Sequence, residues 1–396
     1  MKTFTKPFTQ QEPIDEATIA RVGEILRSGR LHRYNTLPGE ISEAALLEQE
    51  YAAWQGSKYA LACASGGYAL QVALRAAGLQ PGDTVLANAY TLAPVPGAIH
   101  NAGGIPLFVE IDENWHIDLE DLAAKAETSN AKFLMLSHMR GHIADMDRIS
   151  EICDKFDITI VEDCAHTMGA RWKGKRSGNF GKVAAFSAQT YKHINSGEGG
   201  LLTTDDPYVA ARAIVHSGSY MLYASHGAAP PEEVFREIRL ETPNYSGRMD
   251  NLRAAILRGQ LAGLEENVRR WNERYQTIER GLRKSAHILL ADRAQHESYV
   301  GSSIQFRPKM EKSAFEPFMT SCAERGVDVK WFGADEPKAF TSRYDSWAYL
   351  GEPQKLPQTL QVLSQTCDIR VPLTFDLEDC ALVAQIIAEE VEKYVG

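Results

Sequence analysis

The sequence predicts an α/β protein with three layers, in which a mostly parallel sheet lies between two layers of helices. Apolar runs alternate with segments of helical periodicity through the first 250 residues, and the run 158–161 is dense in β-branched residues. This alternation is typical of a parallel sheet that is covered by helices on both faces. The expected strands of the sheet are residues 59–64, 84–89, 105–111, 132–138, 158–163, 183–188 and 200–204.

A smaller α+β domain is expected where this pattern changes. A long helical segment covers residues 251–282, a strand is expected near 302–307, and a final helix near 377–394. The chain has 396 residues, of which 44% are hydrophobic, so it can bury two separate cores. We therefore divide it into a large domain, residues 1–250, and a small domain, residues 251–396.

Composition argues against several classes of function. The net charge is −10 and no basic run is interleaved with aromatic residues, so we expect no nucleic-acid partner. The first residues lack the apolar core of a secretory signal and no run of about 18 apolar residues occurs, which predicts a cytoplasmic protein without a membrane partner. The six cysteines form no C-x-x-C pair, which indicates reduced core thiols and neither a disulfide framework nor a metal site.

The strongest chemical signal is an acid followed by a lysine. Asp163 ends the expected strand 158–163, and Lys192 lies 29 positions later (192 − 163), before a glycine-rich turn. Ligands of parallel α/β sheets gather at the carboxyl ends of strands, where Asp163 falls. Pyridoxal 5′-phosphate (PLP) needs both groups, because a lysine holds it as a Schiff base and a carboxylate keeps its pyridine nitrogen protonated. The pair therefore predicts a PLP enzyme.

A place for the cofactor phosphate is expected at the end of the first strand. Ser65, Gly66 and Gly67 follow the strand 59–64, and a helix is expected from Tyr68 to Ala77. The N-terminus of a helix presents free N–H groups and a positive dipole end, and glycines allow an anion to approach the backbone closely. This turn is therefore the predicted phosphate site.

The chain resembles the DegT/StrS family of sugar aminotransferases, which are fold-type I PLP enzymes. The matching segments run in the same order over most of the chain, and together they are specific although each alone is weak. They are residues 18–30, 82–85, 90–91, 102–112, 141–147, 161–166, 186–200, 248–255 and 260–261.

The resemblance implies a role for each residue near the cofactor. Lys192 would bind PLP and move the proton, Asp163 would hold the pyridinium, and His166 would contact the phenolic oxygen. Ser187 and the Gly66–Gly67 turn would bind the phosphate. The resemblance also implies a homodimer whose active sites are completed across the twofold axis.

Three cofactor positions depart from the family pattern. Gly67 stands where the family has a threonine whose hydroxyl also contacts the phosphate, so Ser187 is expected to carry more of that binding. Leu92 stands where an aromatic ring usually stacks on the pyridine, and can offer only apolar packing. Asn244, which would cross the dimer to the phosphate, is separated from Arg248 by a two-residue insertion, so either Asn244 or Ser246 would make the contact.

The substrate side is less defined. Arg33 and Tyr34 match a segment that lines the substrate entrance in the family, and His142 and His193 are expected as active-site neighbours without assigned chemistry. The late segment 329–349 lacks the Pro-x-His element of nucleotide-sugar members. Four acceptor classes therefore stay open: a nucleotide-linked keto sugar, a free or phosphorylated keto sugar, an acid sugar of the octulosonate type and a cyclitol ketone. The altered late segment favours the last three.

The predicted reaction is therefore a transamination in two stages. An amino donor, L-glutamate or glutamine, would leave its amino group on the cofactor as pyridoxamine 5′-phosphate, which would then pass it to the keto group of a sugar or sugar-like acceptor. Two alternatives stay open. Some relatives replace the lysine by histidine and are sugar dehydratases, but Lys192 is present here. A non-catalytic sensor or structural protein could also carry this fold.

Overall fold

The computed structural model describes residues 2–395 of the chain. Within these residues the α-helices are α1 Glu16–Ser28, α2 Glu43–Gln55, α3 Gly66–Ala77, α4 Pro94–Ala102, α5 Leu119–Thr128, α6 Met146–Lys155, α7 Pro207–Ile214, α8 Glu232–Ile238, α9 Asn251–Leu261, α10 Leu264–Leu282, α11 Phe315–Glu324, α12 Pro357–Gln365 and α13 Leu377–Tyr394. The strands are β1 Tyr59–Cys63, β2 Thr84–Asn88, β3 Ile105–Val109, β4 Phe133–Ser137, β5 Thr159–Asp163, β6 Arg171–Trp172, β7 Lys175–Arg176, β8 Val183–Ser187, β9 Gly200–Thr204, β10 Ile288–Leu289, β11 Glu297–Ser298, β12 Ser303–Pro308, β13 Lys330–Trp331 and β14 Cys367–Arg370.

A seven-stranded sheet forms the centre of the large domain, in the order β1-β9-β8-β5-β4-β2-β3. The strands from β8 to β3 pair in parallel, and β9 alone runs antiparallel to both of its neighbours. Strands β4 and β8 are buried along their whole length, because helices cover both faces of the sheet. The predicted fold class is confirmed, and all seven expected strands form with ends that differ by at most two residues.

The long helix expected over residues 251–282 is two helices. Helix α9 ends at Leu261, and α10 begins at Leu264 after Gly263, which provides no side chain to cap it. Glycine has a low helix propensity, so the break falls where the helical backbone is weakest. The break lets α9 pack on α1 and α2 while α10 continues into the small domain.

The small domain has an antiparallel sheet in the order β10-β12-β14-β13. Its core is built by α10, α11 and α13, and two residues from the other end of the chain, Phe4 and Phe8, pack into it against Phe375. The division at residue 250 stays a prediction. In terms of packing, α9 belongs with the large domain and the first residues of the chain with the small one.

The topology brings the carboxyl ends of β4, β5 and the amino-terminal end of α3 to one edge of the large sheet. The small-domain strands β12 and β14 face this edge, and a cavity lies between the two domains. Within the described chain, every helix is too short or too polar to span a bilayer. All six cysteines are buried as free thiols.

Candidate active site

The cavity between the domains has a volume of about 670 Å³. It is lined by residues at the end of β5, in the loop that contains Lys192, at the amino-terminal turn of α3 and in the small domain. Those that the sequence predicted for the cofactor and that line it are Gly66, Gly67, Leu92, Asp163, His166, Ser187 and Lys192.

Asp163 lies at the carboxyl end of β5 with only 7% of its surface exposed. Its Oδ2 accepts a hydrogen bond from the Ser137 hydroxyl at 3.0 Å, and its Oδ1 accepts one from the Ala165 N–H at 3.1 Å. Burial raises the pKa of Asp163, and these two hydrogen bonds and the charge of Lys192 offset the rise only in part. A cationic N–H partner in the cavity would restore the ordinary ionisation of this carboxylate.

Lys192 is partly buried in the loop that follows β8. Burial and the positive charge of Arg140 lower the pKa of its amine to about 7, although Asp163 opposes the shift and Arg370 adds to it. An ordinary lysine is almost wholly protonated at neutral pH, whereas about half of the Lys192 amines are neutral there. A neutral amine is the form that attacks a carbonyl carbon.

His166 lies in the same cavity, three residues after Asp163. Burial, with the charges of Lys192 and Arg140, holds the pKa of its ring well below the ordinary range. The ring is therefore neutral at physiological pH, and it can exchange a hydrogen bond with an oxygen of a ligand without bringing a charge into the cavity.

The α3 turn has the shape of an anion cradle. Ser65 caps the helix by accepting a hydrogen bond from the Tyr68 N–H, and the N–H groups of Gly66 and Gly67 donate to no acceptor within residues 2–395. A Cβ on Gly66 would lie 2.8 Å from the Cβ of Ser187, so only glycine allows the turn and that serine to approach. The turn and the serine together leave donors free for a phosphate.

The partners of Asp163 continue into the large sheet. Ser137, at the end of β4, exchanges a hydrogen bond of 2.7 Å with Thr91 and receives one from the Asn88 side chain through its carbonyl group. Leu92, next to Thr91, lines the cavity with an aliphatic side chain. The Asp163 carboxylate is therefore held by a series of side-chain hydrogen bonds, while the cavity wall beside it is apolar.

Arg33 and Tyr34 do not line the cavity of this chain, and their place at the substrate entrance stays a prediction. Arg33 is 1% exposed, and its two terminal nitrogens contact the carboxylate of Glu48 at 2.6 and 2.8 Å. Tyr34 bonds to Ser219 and to His226. Glu48 is itself fully buried, so it needs this cationic partner, and the arginine serves the core of the chain.

Two histidines also lie outside the cavity lining. His142 pairs with Glu297 at 3.0 Å and stacks on Tyr299, in a cluster at the domain junction. His193 is buried behind the lysine, where its Nε2 lies 3.2 Å from the Ser302 hydroxyl and burial lowers its pKa to about 3. His142 is therefore held at the domain junction, whereas His193 lies directly behind the cavity wall, since its partner Ser302 is one of the lining residues.

Asn244 is exposed and does not line the cavity of its own chain. It precedes Tyr245, whose ring is stacked at 6.1 Å on Tyr68 of helix α3, and whose carbonyl accepts a hydrogen bond from the Tyr68 hydroxyl. The segment is therefore fixed against the first turn of α3. Its reach into a second subunit stays a prediction.

Sequence reasoning missed two arginines that line the cavity, Arg140 and Arg370. A signal existed for Arg140, because it follows the strand 132–138 at the same sheet edge as Asp163. No local signal marked Arg370, because β14 reaches the cavity only through the packing of the small domain on the large one.

The arrangement fits PLP. The cradle offers unpaired N–H groups and the Ser187 hydroxyl for a phosphate, Asp163 has capacity left for a pyridinium N–H, and Lys192 supplies an amine whose lowered pKa of about 7 makes the neutral form accessible. A mostly parallel sheet with this site at its carboxyl edge defines a fold-type I enzyme of the PLP class.

The family is established by comparison. The model of the DegT/DnrJ/EryC1/StrS aminotransferase family matches residues 12–388 of the chain. The chain belongs to this family, which confirms the resemblance and the aminotransferase class that the sequence predicted.

Three known proteins show the extent of the similarity. The spore coat polysaccharide biosynthesis protein SpsC of Bacillus subtilis (strain 168) is 33% identical over 284 residues, which cover 69% of this chain and 68% of that protein. The dTDP-3-amino-3,4,6-trideoxy-alpha-D-glucose transaminase of Streptomyces venezuelae is 35% identical over 271 residues, or 67% of this chain and 64% of that protein. The crystal structure of 3-amino-5-hydroxybenzoic acid synthase aligns with a TM-score of 0.80 and 26% identity, over 99% of this chain and 100% of that one.

Proposed function

We propose that the protein is a PLP-dependent aminotransferase that moves an amino group from L-glutamate or glutamine to a keto group of a sugar or sugar-like acceptor. Its product would enter amino-sugar or secondary-metabolite biosynthesis. One observation carries the proposal: Lys192, with a pKa lowered to about 7, shares a cavity of about 670 Å³ with the buried acid Asp163.

Each residue of the site has a defined task in this proposal. PLP, when bound, supplies the electron sink on which transamination depends. Lys192 would remove the proton from the donor Cα and deliver it to the C4′ atom of the cofactor. An amine with a pKa near the working pH is well suited to both steps. Asp163 accepts the hydrogen bond of the pyridine N–H, and His166 donates or accepts at the phenolic oxygen. Ser187 and the Gly66–Gly67 turn bind the phosphate.

The acceptor class is supported by the relatives and by the size of the cavity. The names of the relatives refer to a spore coat polysaccharide, a nucleotide-linked amino sugar and an aminobenzoic acid. A cavity of about 670 Å³ lies within the usual size range of small-molecule sites, with room for a cofactor beside the reacting part of a substrate.

The proposal includes a homodimer. Asn244 is exposed on the segment that packs against the first turn of α3, beside the cradle. From this position it can contact the cofactor phosphate of a neighbouring subunit. Sedimentation of the PLP-loaded protein would give the mass of a dimer if this is correct.

The test is a transfer of labelled nitrogen. PLP-loaded protein is incubated with L-glutamate labelled with ¹⁵N at the amino group and with a panel of keto sugars, keto sugar acids and cyclitol ketones, and the products are analysed by mass spectrometry. We expect ¹⁵N in one acceptor class with the wild type and none with Lys192→Ala. Exposed Lys173→Ala is the matched control. Label transfer that survives in Lys192→Ala would contradict the proposal, as would the absence of any half-reaction with glutamate and with glutamine.

A further inference from the structure

Two arginines reach the cavity from opposite sides. Arg140 comes from the short turn Met139–Gly141 after β4 of the large domain, and Arg370 ends β14 of the small domain. Neither has a task in the proposed reaction. Both carry charge next to the lysine amine, since each contributes to the lowered pKa of Lys192.

Arg140 is held in place at a cost. Its backbone lies in the left-handed region (φ 58°, ψ 27°), which is unfavourable for a residue with a Cβ. Its side chain is 8% exposed and lies 2.9 Å from the carboxylate of Asp368, which Gln305 binds from the other side at 2.8 Å. The Asp368 carboxylate balances the charge of Arg140 as an ion pair, while the buried Nε and Nη2 of Arg140 form no hydrogen bond within residues 2–395.

Arg370 is not balanced in this way. No acidic side chain of residues 2–395 forms an ion pair with it, and its guanidinium donates no hydrogen bond to that part of the chain. The guanidinium lies 3.5 Å from the centroid of the Tyr191 ring, which precedes the lysine. A ring at this distance fixes the plane of a guanidinium and leaves its N–H edge free for a ligand.

The unpaired charge of Arg370 therefore indicates a binding site for an anion other than the cofactor phosphate. The phosphate cradle belongs to the large domain, at the Gly66–Gly67 turn and Ser187, whereas Arg370 belongs to the facing small-domain strand. Glu198 also lines the cavity, but it is exposed and makes no ion pair with Arg370 among the described residues. A fixed planar fork of N–H donors matches the two oxygens of a carboxylate.

We propose that Arg370 binds a carboxylate of the keto acceptor, so that the substrate class is a keto sugar acid. This inference rests on the proposed aminotransferase function. The amino donor also carries carboxylates, so the experiment must separate the two halves of the reaction.

The test compares two keto sugars that differ in one group. 5-Keto-D-gluconate and L-sorbose share their hydroxyl pattern and keto group, but the first ends in a carboxylate and the second in a CH₂OH. Protein loaded with pyridoxamine 5′-phosphate is mixed with each, and the return of the PLP absorbance is followed. The conversion of PLP-loaded protein by L-glutamate is measured in parallel. The variants are Arg370→Gln, Arg370→Lys and, as a matched surface control, Arg236→Gln.

We expect the wild type to favour the keto acid over L-sorbose by about 10- to 100-fold, the size of one charge-assisted contact. Arg370→Gln removes this preference by slowing the keto acid alone, Arg370→Lys keeps part of it, and Arg236→Gln keeps all of it. Measured at a pH above the Lys192 midpoint of both proteins, the glutamate half-reaction of Arg370→Gln stays near the wild-type rate. Loss confined to the glutamate half-reaction would overturn the inference and assign the arginine to the donor.

A binding measurement gives the same answer without turnover. D-Gluconate and D-glucitol also differ only in the terminal carboxylate, and neither has a keto group. Calorimetry of PLP-loaded protein should show tighter binding of gluconate in the wild type and equal binding in Arg370→Gln. Equal binding in the wild type, together with unchanged keto-acid rates in Arg370→Gln, would overturn the inference. Failure of the wild type to react with glutamate and glutamine would instead overturn the proposed function.

Discussion

Two adjacent acids at the end of β5 have opposite surroundings. Glu162 faces one side of the sheet, where its carboxylate accepts hydrogen bonds from the N–H groups of Gly178, Phe180 and Gly181 at 2.6–2.8 Å and contacts His138 at 3.1 Å. Asp163 faces the cavity and has two protein hydrogen bonds. Successive strand residues point to opposite faces, so one step along the chain separates a saturated carboxylate from an open one.

The ionisation of the two acids follows the number of their donors. Burial raises the pKa of Glu162, but its hydrogen bonds from His138 and from the loop N–H groups outweigh that effect and hold it below the ordinary value. The pKa of Asp163 stays raised, because its two hydrogen bonds are too few. A buried carboxylate with unused hydrogen-bonding capacity is available to bind a ligand. A carboxylate whose hydrogen bonds are all made by the protein stabilises the fold instead. The following experiments test this difference.

The largest effect is expected from Lys192→Ala. Asp163 is functional in this account only because it serves a cofactor tethered to that lysine. The variant loses both the tether and the proton-transferring amine, so transamination should fall by about 10⁴-fold or more. Turnover with a keto acceptor measures this. Activity within tenfold of the wild type would contradict the role of Lys192, on which the functional interpretation of Asp163 depends.

The next effect separates the two acids directly. Asp163→Asn should leave the unfolding free energy nearly unchanged. It should slow the glutamate half-reaction by about 10²-fold or more, because the cofactor pyridinium loses its charged partner. Glu162→Gln should lower the unfolding free energy by about 2–4 kcal/mol, since it disturbs a saturated buried network. Urea unfolding and stopped-flow absorbance measure the two quantities. The reverse pattern would show that the roles of the acids are exchanged.

The pH dependence of cofactor capture should be smaller but diagnostic. The amine of Lys192 is protonated below its pKa of about 7 and neutral above it, so the rate of PLP capture by cofactor-free protein should rise through pH 7 and then level off. Arg370→Gln removes a cation that lowers this pKa, so its midpoint should move to higher pH. A wild-type midpoint near that of an ordinary lysine would contradict the geometry of the site.

The smallest effects are expected at the two glycines of the cradle. A Cβ at Gly66 would lie 2.8 Å from the Ser187 Cβ, so Gly66→Ala should weaken PLP binding by about tenfold, roughly 1.4 kcal/mol. A Cβ at Gly67 would meet only the Pro94 Cβ, at 3.6 Å. Gly67→Thr should therefore add a hydroxyl contact and tighten PLP binding by about fivefold. Equilibrium titration with PLP checks both, and equal changes in the two variants would contradict this difference.

The fold and the cofactor side of the site could be predicted because their signals are local. The strands of the large sheet are short apolar runs, and Asp163, Lys192 and the Gly66–Gly67 turn each belong to a motif with a fixed place relative to a strand. The break at Gly263 could have been foreseen from its low helix propensity. The relative orientation of α9 and α10 could not be foreseen, because it depends on the packing of α9 against α1 and α2.

The substrate side could not be predicted because distant segments build it. Arg33 was expected at the entrance, but a buried carboxylate, Glu48, binds it 15 positions away in the chain. His142 was expected as an active-site neighbour, and its partner Glu297 at the domain junction lies 155 positions away in the chain. Arg370 enters the cavity through contacts between domains that no sequence pattern of β14 contains.

The most direct test of the account is the absorbance spectrum of PLP-loaded wild type, Asp163→Asn and Glu162→Gln, before and after addition of L-glutamate. The account predicts that the band of lysine-bound PLP forms in the wild type and in Glu162→Gln and is converted by glutamate in both, while Asp163→Asn is converted at least about 10²-fold more slowly. Conversion at the wild-type rate in Asp163→Asn would contradict the role of Asp163. A wild type that forms no lysine-bound band would contradict the assignment of the site as a whole.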